Sequence, residues 1–361
     1  AGGSAEVSLA PYGSMPAKGR TWIGCYRCEL TTLFWESLTS ELHACLSLRK
    51  VRGENAHHIV ESSFKAFARV FRECLDRIGA DSSKRCGEVS NCATGAGMKV
   101  LAQPINGGDE EGPQQKRRTG SKSRSTKETS IDVLVNLDPD VAVTSESETT
   151  PTTGGERGAC TEGISTGVPL LDRVVAELRQ ASGFDIQVAC KGDIYIDDHH
   201  TAEDVSITLG QCLNLALGDK AGLVRMASRE ASSGDGDDQV RVRVVLDLSN
   251  RPHFESDLTL DEEFVGGGAG GGGGDGGDGG DAPICGEALS CEMLHHVFDS
   301  LTIEGRATVH VEVLQDDLRP GHTGHLAMAT ARALGSAMKE CARVDPRRAG
   351  KVASSKGTLS V

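Results

Sequence analysis

The chain has 361 residues and a formal net charge of −14, from 38 basic and 52 acidic side chains. That balance argues against a general nucleic-acid binder, which is ordinarily basic, and no apolar run approaches the roughly 18–20 residues of a membrane span. Hydrophobic residues make up 38% and aromatics 4%, and the 45 glycines are clustered, so linker-like sequence dilutes the core-forming part. The 12 cysteines follow no repeating spacing. Several sit inside helical patterns, where they read as small core residues of a protein from a reducing compartment.

Residues 1–33 are poorly patterned. Residues 34–78 read as helix, strand and a second, strongly amphipathic helix, "HHIVESSFKAFARVF". A segment rich in Gly, Ser, Lys and Arg follows, and 91–123 is expected to be a flexible linker. In "TSIDVLVNLD", Ile131, Val133, Val135 and Leu137 alternate with other residues, the mark of a half-buried strand. "VPLLDRVVAELRQASG" is an amphipathic helix and "FDIQVACKGDIYID" holds one or two strands. The helix from about 201 repeats Val205, Leu209, Leu213 and Leu217 and stops before Gly218. "QVRVRVVLDLS" alternates as a strand. Residues 265–282, nearly all Gly and Asp, are expected to be a loop. A helix ("CEMLHHVFDSL"), a strand ("ATVHVEVL") and a helix over about 323–342 complete the pattern. Such short alternating units predict an α+β or α/β domain.

Two stretches carry the chemistry. In "DDHHTAED", His199 and Glu203 are one helical turn apart, with His200 beside them. In "ENAHHIVE", His57, His58 and Glu61 repeat that spacing. Each opens an amphipathic helix, so two imidazoles and a carboxylate project together from each helix start. This mixed N/O set suits a transition metal such as Mn, Fe or Zn.

From residue 124 onward the chain resembles imidazoleglycerol-phosphate dehydratase. The resemblance rests on "STKETSIDVLVNLD", "STGVPLLDRVV", "KGDIYIDDHHTAEDVSITLGQCLNLALGDKAG", "LDLSNRP", "LSCEML" and "DPRRAGKVASSKGTLSV", in that order. It implies an α+β fold of two duplicated half-domains, each a four-stranded sheet backed by helices (ribosomal S5 domain 2-like). It also implies removal of water from imidazole glycerol phosphate to give imidazole acetol phosphate, in histidine biosynthesis. Two Mn ions per site are implied, within a homo-oligomer of typically 24 subunits whose sites draw ligands from neighbours. The partner is a small phosphate substrate, with no nucleic acid or membrane, and the compartment is plastid or cytoplasm. By motif match, Glu203 is catalytic and His199, His200, Glu203, His310 and His325 hold metal. Glu128, Arg225, Arg251, Ser354 and Lys356 contact substrate.

The full copy departs from the family pattern. The histidine of the family's "DHM" is Arg173, and the second HHxxE has become Gly324, His325 and Met328. An intact second-half motif lies upstream instead. Residues 34–90 resemble the C-terminal half of another copy, an extra N-terminal half-domain in which His57, His58 and Glu61 are metal ligands, Glu61 is also catalytic and Lys65 contacts substrate. The expectation is a mosaic site, in which the upstream half supplies ligands the downstream half has lost. Two functional readings follow: a working dehydratase, or a catalytically impaired paralogue that co-assembles with intact subunits.

Overall fold

The computed structural model describes residues 3–83, 118–139, 160–267 and 288–351, apart from 235, 237, 238 and 349. It falls into two units, 1–59 with 117–361, and 60–116.

The first unit is built around two four-stranded mixed sheets. One has the order β5–β6–β8–β7, from Thr119–Ser125, Thr129–Asn136, Asp185–Gly192 and Ile164–Ser165. The other has the order β11–β12–β10–β9, from His253–Ser256, Thr308–Gln315, Val240–Asp247 and Met226–Ser233. Their pairing is the same strand for strand: three strands antiparallel and the short edge strand parallel to its neighbour. Each half therefore reads β-β-β-α-β-α, with α3 (Pro169–Ser182) and α4 (His199–Leu217) in the first, and α5 (Cys291–Glu304) and α6 (His322–Ala342) in the second. The duplicated α+β fold expected from the sequence is present.

Alternation explains the sheets. In β6 the residues Ile131, Val133 and Val135 are buried, and in β10 so are Val240, Val242, Val244 and Leu246. Each sheet thus offers one apolar face. The helices cover those faces, α3 packing on α6 and α4 on α5, so one continuous core runs through both halves. The helices approach closely because glycine permits it. A Cβ on Gly335 would lie 2.5 Å from the Leu178 carbonyl oxygen, and one on Gly210 2.8 Å from that of Leu301.

The segment before residue 60 repeats the last four elements of a half. Strand β1 (Ser4–Ser8), helix α1 (Leu30–Leu42), strand β4 (Cys45–Arg49) and helix α2 (Ala56–Ser83) follow in that order, and β1 pairs parallel with β4 as β11 does with β12. A small hairpin, β2 (Trp22–Ile23) with β3 (Tyr26–Arg27), is inserted before α1. Residues 1–33, unpatterned as sequence, therefore hold strand and hairpin. Trp35 of α1 is fully buried.

The expected linker also ends earlier than its composition implies. Residues 91–117 lie outside the described residues, but Thr119–Ser125 is strand β5, paired residue by residue with β6. Of the Gly/Asp-rich stretch, 268–282 lies outside the described residues.

In the second unit, residues 60–83 continue α2. Ion pairs one turn apart, Glu61 with Lys65 and Arg72 with Asp76, run along it, and Phe67 stacks on Phe71 at 5.4 Å. Phe71 and Leu75 of this helix are exposed.

Candidate metal centre

The starts of α2 and α4 meet. The His57 ring stacks on His199, with centroids 4.4 Å apart and planes 12° from parallel. His58 meets His199 edge-on at 4.5 Å, and His57 meets His200 edge-on at 4.9 Å. Donor atoms of His58, His199 and Glu203 all lie within 4.8 Å of one another. The group takes one imidazole from the upstream motif, and an imidazole and the carboxylate from the downstream one.

Buried acids hold these helix starts in place. Asp197 accepts hydrogen bonds from His57 Nδ1 (2.6 Å) and from the His199 amide (3.1 Å). Burial alone would raise the Asp197 pKa, but the His57 hydrogen bond and the charges of His57 and His199 bring it below the ordinary value. Asp198 accepts from both the amide and the hydroxyl of Ser290, the N-cap of α5. Asp193 accepts from His200 Nδ1 at 3.0 Å. A carboxylate cannot donate, so His57 and His200 each present an Nδ1 proton to it, which in the neutral imidazole leaves the lone pair on Nε2. A carboxylate behind an imidazole in this way is how metal-binding histidines are usually oriented.

The start of α2 is held from both sides. Asn55 Oδ1 caps the His58 amide (3.0 Å), and Glu292 of α5 accepts from the Ala56 amide (2.7 Å). Burial raises the Glu292 carboxyl to about 7. Upstream, one carboxylate oxygen of Glu263 accepts from the amides of Thr21 and Trp22. Gly24 (φ +54) sits against the Ile196 carbonyl, where a Cβ would come within 1.6 Å of the oxygen. Asp204, next to Glu203, accepts from Thr129 Oγ1 (2.6 Å) and pairs with Arg124 (2.7 Å), tying α4 to the first sheet.

The group fits a divalent cation. His199 Nε2 is buried and faces the Glu203 carboxylate at 3.5 Å. Hydrogen bonds from His199 and from His296 hold the Glu203 carboxyl far below the ordinary glutamate range, so it stays ionised. Two imidazoles and an ionised carboxylate form a donor set for Mn, Fe or Zn.

Two residues of this site escaped the sequence reading. His296 of α5 lies 3.2 Å from Glu203 and stacks over His199 at 6.1 Å. The Glu203 hydrogen bond raises its pKa despite burial. Its only signal was a third histidine pair, "LHHV", in a helix that reads as ordinary. Asn55 lies 3.4 Å from His199 across 144 positions of chain.

The other expected site residues are placed as follows. Glu128 lies 3.9 Å from His200 Nε2, at the edge of the site. Glu61 and Lys65 pair with each other on α2, and the carboxylate of the three-residue group is Glu203 instead. Arg225, expected on phosphate, pairs with a carboxylate. It is buried, adopts φ +79, and spends its guanidinium fork on Asp247 at 2.7 and 2.9 Å, because the β9–β10 register ends with Met226 opposite Asp247. Arg251 is exposed in the turn before β11. Ser354 and Lys356 lie outside the described residues.

His325 and His310 lie outside the three-residue group. The start of α6 faces β9, so His325 approaches Ser233 (3.4 Å) and lines a cavity of about 350 Å³ with His322, Arg319 and Asp316. His310 alternates with buried Val309 and Val311 and so emerges on the outer face of the second sheet, beside Glu255. Arg173 is exposed on α3, and Met328 is buried in the core.

A family model described as "Imidazoleglycerol-phosphate dehydratase" matches residues 4–71 and 166–271. The first match begins within the segment that looked unpatterned. The imidazoleglycerol-phosphate dehydratase of Microcystis aeruginosa is 34% identical over 242 residues, covering 67% of this chain and 93% of that protein. The chain belongs to the imidazoleglycerol-phosphate dehydratase family. The chloroplastic family member of Pisum sativum is 32% identical over 243 residues, 67% of this chain and 69% of that protein. The crystal structure of the Pyrococcus furiosus member matches 66% of this chain and 99% of its own, at 24% identity and a TM-score of 0.42. Family membership accounts for the duplicated sheets and for "DDHHTAED" at the head of α4.

Proposed function

We propose that this chain is an imidazoleglycerol-phosphate dehydratase of histidine biosynthesis, a hydro-lyase whose site is completed in cis by its own N-terminal half-copy. The observation that carries this reading is the meeting of His58, from the upstream motif, with His199 and Glu203. The half-copy is read as a tandem duplication, its α2 start standing where the degenerate α6 start no longer offers ligands.

In this reading His58, His199 and Glu203 hold the cation, expected to be Mn²⁺. When bound, such an ion supplies Lewis-acid polarisation of the substrate's imidazole and offsets charge that develops as water leaves. His200, with Asp193 behind it and Glu128 at 3.9 Å on its other side, is the group placed to carry a proton. His57 and Asp197 keep the upstream imidazole pair in register with α4. Arg251, Ser354 and Lys356 remain the proposed cations and hydroxyl for the phosphate. Homo-oligomeric assembly and a plastid or cytoplasmic location belong to the same reading. The latter is supported by relatives named as chloroplastic and by a cyanobacterial one, and no described helix is long and apolar enough to cross a membrane.

The test is conversion of imidazole glycerol phosphate to its ketone product by the Mn²⁺-loaded full chain, paired with rescue of a histidine-requiring host. Wild type is expected to turn over and to rescue, while His58→Ala and Glu203→Gln fail at both. A loaded, folded wild type with no turnover and no rescue would overturn the enzyme reading in favour of an impaired paralogue, for which the lost ligands at Gly324 and Met328 already speak.

A further inference from the structure

The second sheet carries another cluster of metal-ligating side chains. Strands β11 and β12 run parallel with Glu255 opposite His310 and His253 opposite Thr308. Residues two apart on a strand share a face, so His253 and Glu255 project together, with His310 beside them on the next strand. Phe254, between the two, points to the other face and meets the His295 ring of α5 at 5.3 Å. Val309 and Val311, flanking His310, point into the core. The three polar side chains therefore stand on the outer surface of the sheet, whereas the His199 group begins a helix of the inner layer.

Their geometry is that of a ligand set. His253 Nε2 lies 3.5 Å from Glu255 Oε2, and His310 Nδ1 lies 3.7 Å from the same oxygen. The imidazole rings are 5.5 Å apart, and the three donor atoms fall within 4.8 Å of one another. Donors bonded at about 2.1 Å to one tetrahedral cation stand roughly 3.4 Å apart, so small side-chain rotations would bring all three into one coordination sphere. The strand register fixes the backbone beneath them.

We propose that His253, Glu255 and His310 form a second cation site, independent of the α2–α4 centre and solvent-facing at its remaining positions. Two imidazoles and one carboxylate select a borderline ion such as Zn²⁺ or Co²⁺ over Mg²⁺ or Ca²⁺, which prefer all-oxygen sets. Within the family resemblance only His310 had a metal role, at the shared manganese site; His253 and Glu255 had none.

Co²⁺ is the probe, because its visible absorption reports nitrogen ligation. Metal-free full chain, the His253→Ala/His310→Ala variant and Glu255→Gln are titrated by equilibrium dialysis with metal analysis. Circular dichroism and urea midpoints establish that each variant is folded. Wild type is expected to bind one more equivalent than the double variant. Glu255→Gln is expected to weaken that equivalent by at least about tenfold, the smallest loss typical even of an outer-shell partner. His58→Ala should remove a different equivalent and leave this one in place, which separates failure here from failure of the α2–α4 centre. Equal stoichiometry in wild type and the double variant, or an unchanged affinity in Glu255→Gln, would overturn the proposal.

Discussion

Replacing Asp197 by Ala removes the buried acceptor that joins the two HHxxE motifs. Two donors lose their partner at once, His57 Nδ1 at 2.6 Å and the His199 amide at 3.1 Å. Asp197 and His57 are both buried, so water cannot readily replace the carboxylate. Breaking a buried, hydrogen-bonded pair from one side costs about 3–5 kcal/mol. Asp197 holds His57 and the backbone of the ligand His199 rather than the ring of a ligand, so the loss in Mn²⁺ affinity is expected near the lower end, about tenfold, of what outer-shell partners cost. Asp197→Asn keeps the shape and one acceptor oxygen, so it should fall between wild type and Asp197→Ala in both respects. The assays are urea unfolding of metal-free protein, which isolates the structural cost, and Mn²⁺ titration of folded protein at the same pH. A metal-free stability of Asp197→Ala within about 0.5 kcal/mol of wild type, the range of an inert surface change, would refute the pairing. So would an unchanged Mn²⁺ affinity.

Three further outcomes follow from the same geometry. His296→Ala should release Glu203 from one of its two hydrogen bonds, raise the Glu203 pKa and weaken Mn²⁺ binding by about tenfold; NMR titration and metal titration read the two effects. Gly24→Ala should loosen the hairpin from the α4 approach, because the added Cβ meets the Ile196 carbonyl; faster proteolysis before residue 56 and weaker Mn²⁺ binding are expected, with no fall in the helical signal of α3–α6. His322 faces the carbonyls of Thr259 (3.0 Å) and Arg319 (2.8 Å), with Asp261 and Asp316 nearby. Burial lowers its pKa, but these acceptors and charges raise it overall. Its contribution to stability is then fully present below the ordinary histidine pKa of about 6.5 and is lost as pH rises through the raised folded value. His322→Gln should flatten that decline in urea midpoints measured upward from about pH 6.

What was legible in the sequence follows from where the physical signal resides. Strands β6, β10 and β12 alternate because one face of each meets the core, and that period is written in Ile131–Val135, Val240–Leu246 and Val309–Val313. The two HHxxE motifs were legible because helical spacing alone puts their ligands on one face. Strand β5 was not: "TGSKSRS" buries a single residue and is held by backbone pairing with β6, which leaves no side-chain pattern. The first 33 residues failed for a related reason. Their short strands and hairpin rest on contacts such as Glu263 with Thr21 and Trp22, more than two hundred positions apart. At the site, a grouping of upstream with downstream residues was expected from the lost ligands in α6. Which residues combine was not, because the sequence suggested two self-contained triplets and the structure groups His58 with His199 and Glu203. The pairing of Arg225 with Asp247 was not legible, because only the β9–β10 register brings the two alongside.

The most direct test of the account is the anomalous signal from a crystal of the full chain grown with Mn²⁺. A peak within about 2.0–2.3 Å of His58, His199 and Glu203 of one and the same polypeptide is the predicted result. A peak ligated by His199 and Glu203 with histidines of a different polypeptide, or no peak beside His199 at all, would contradict it.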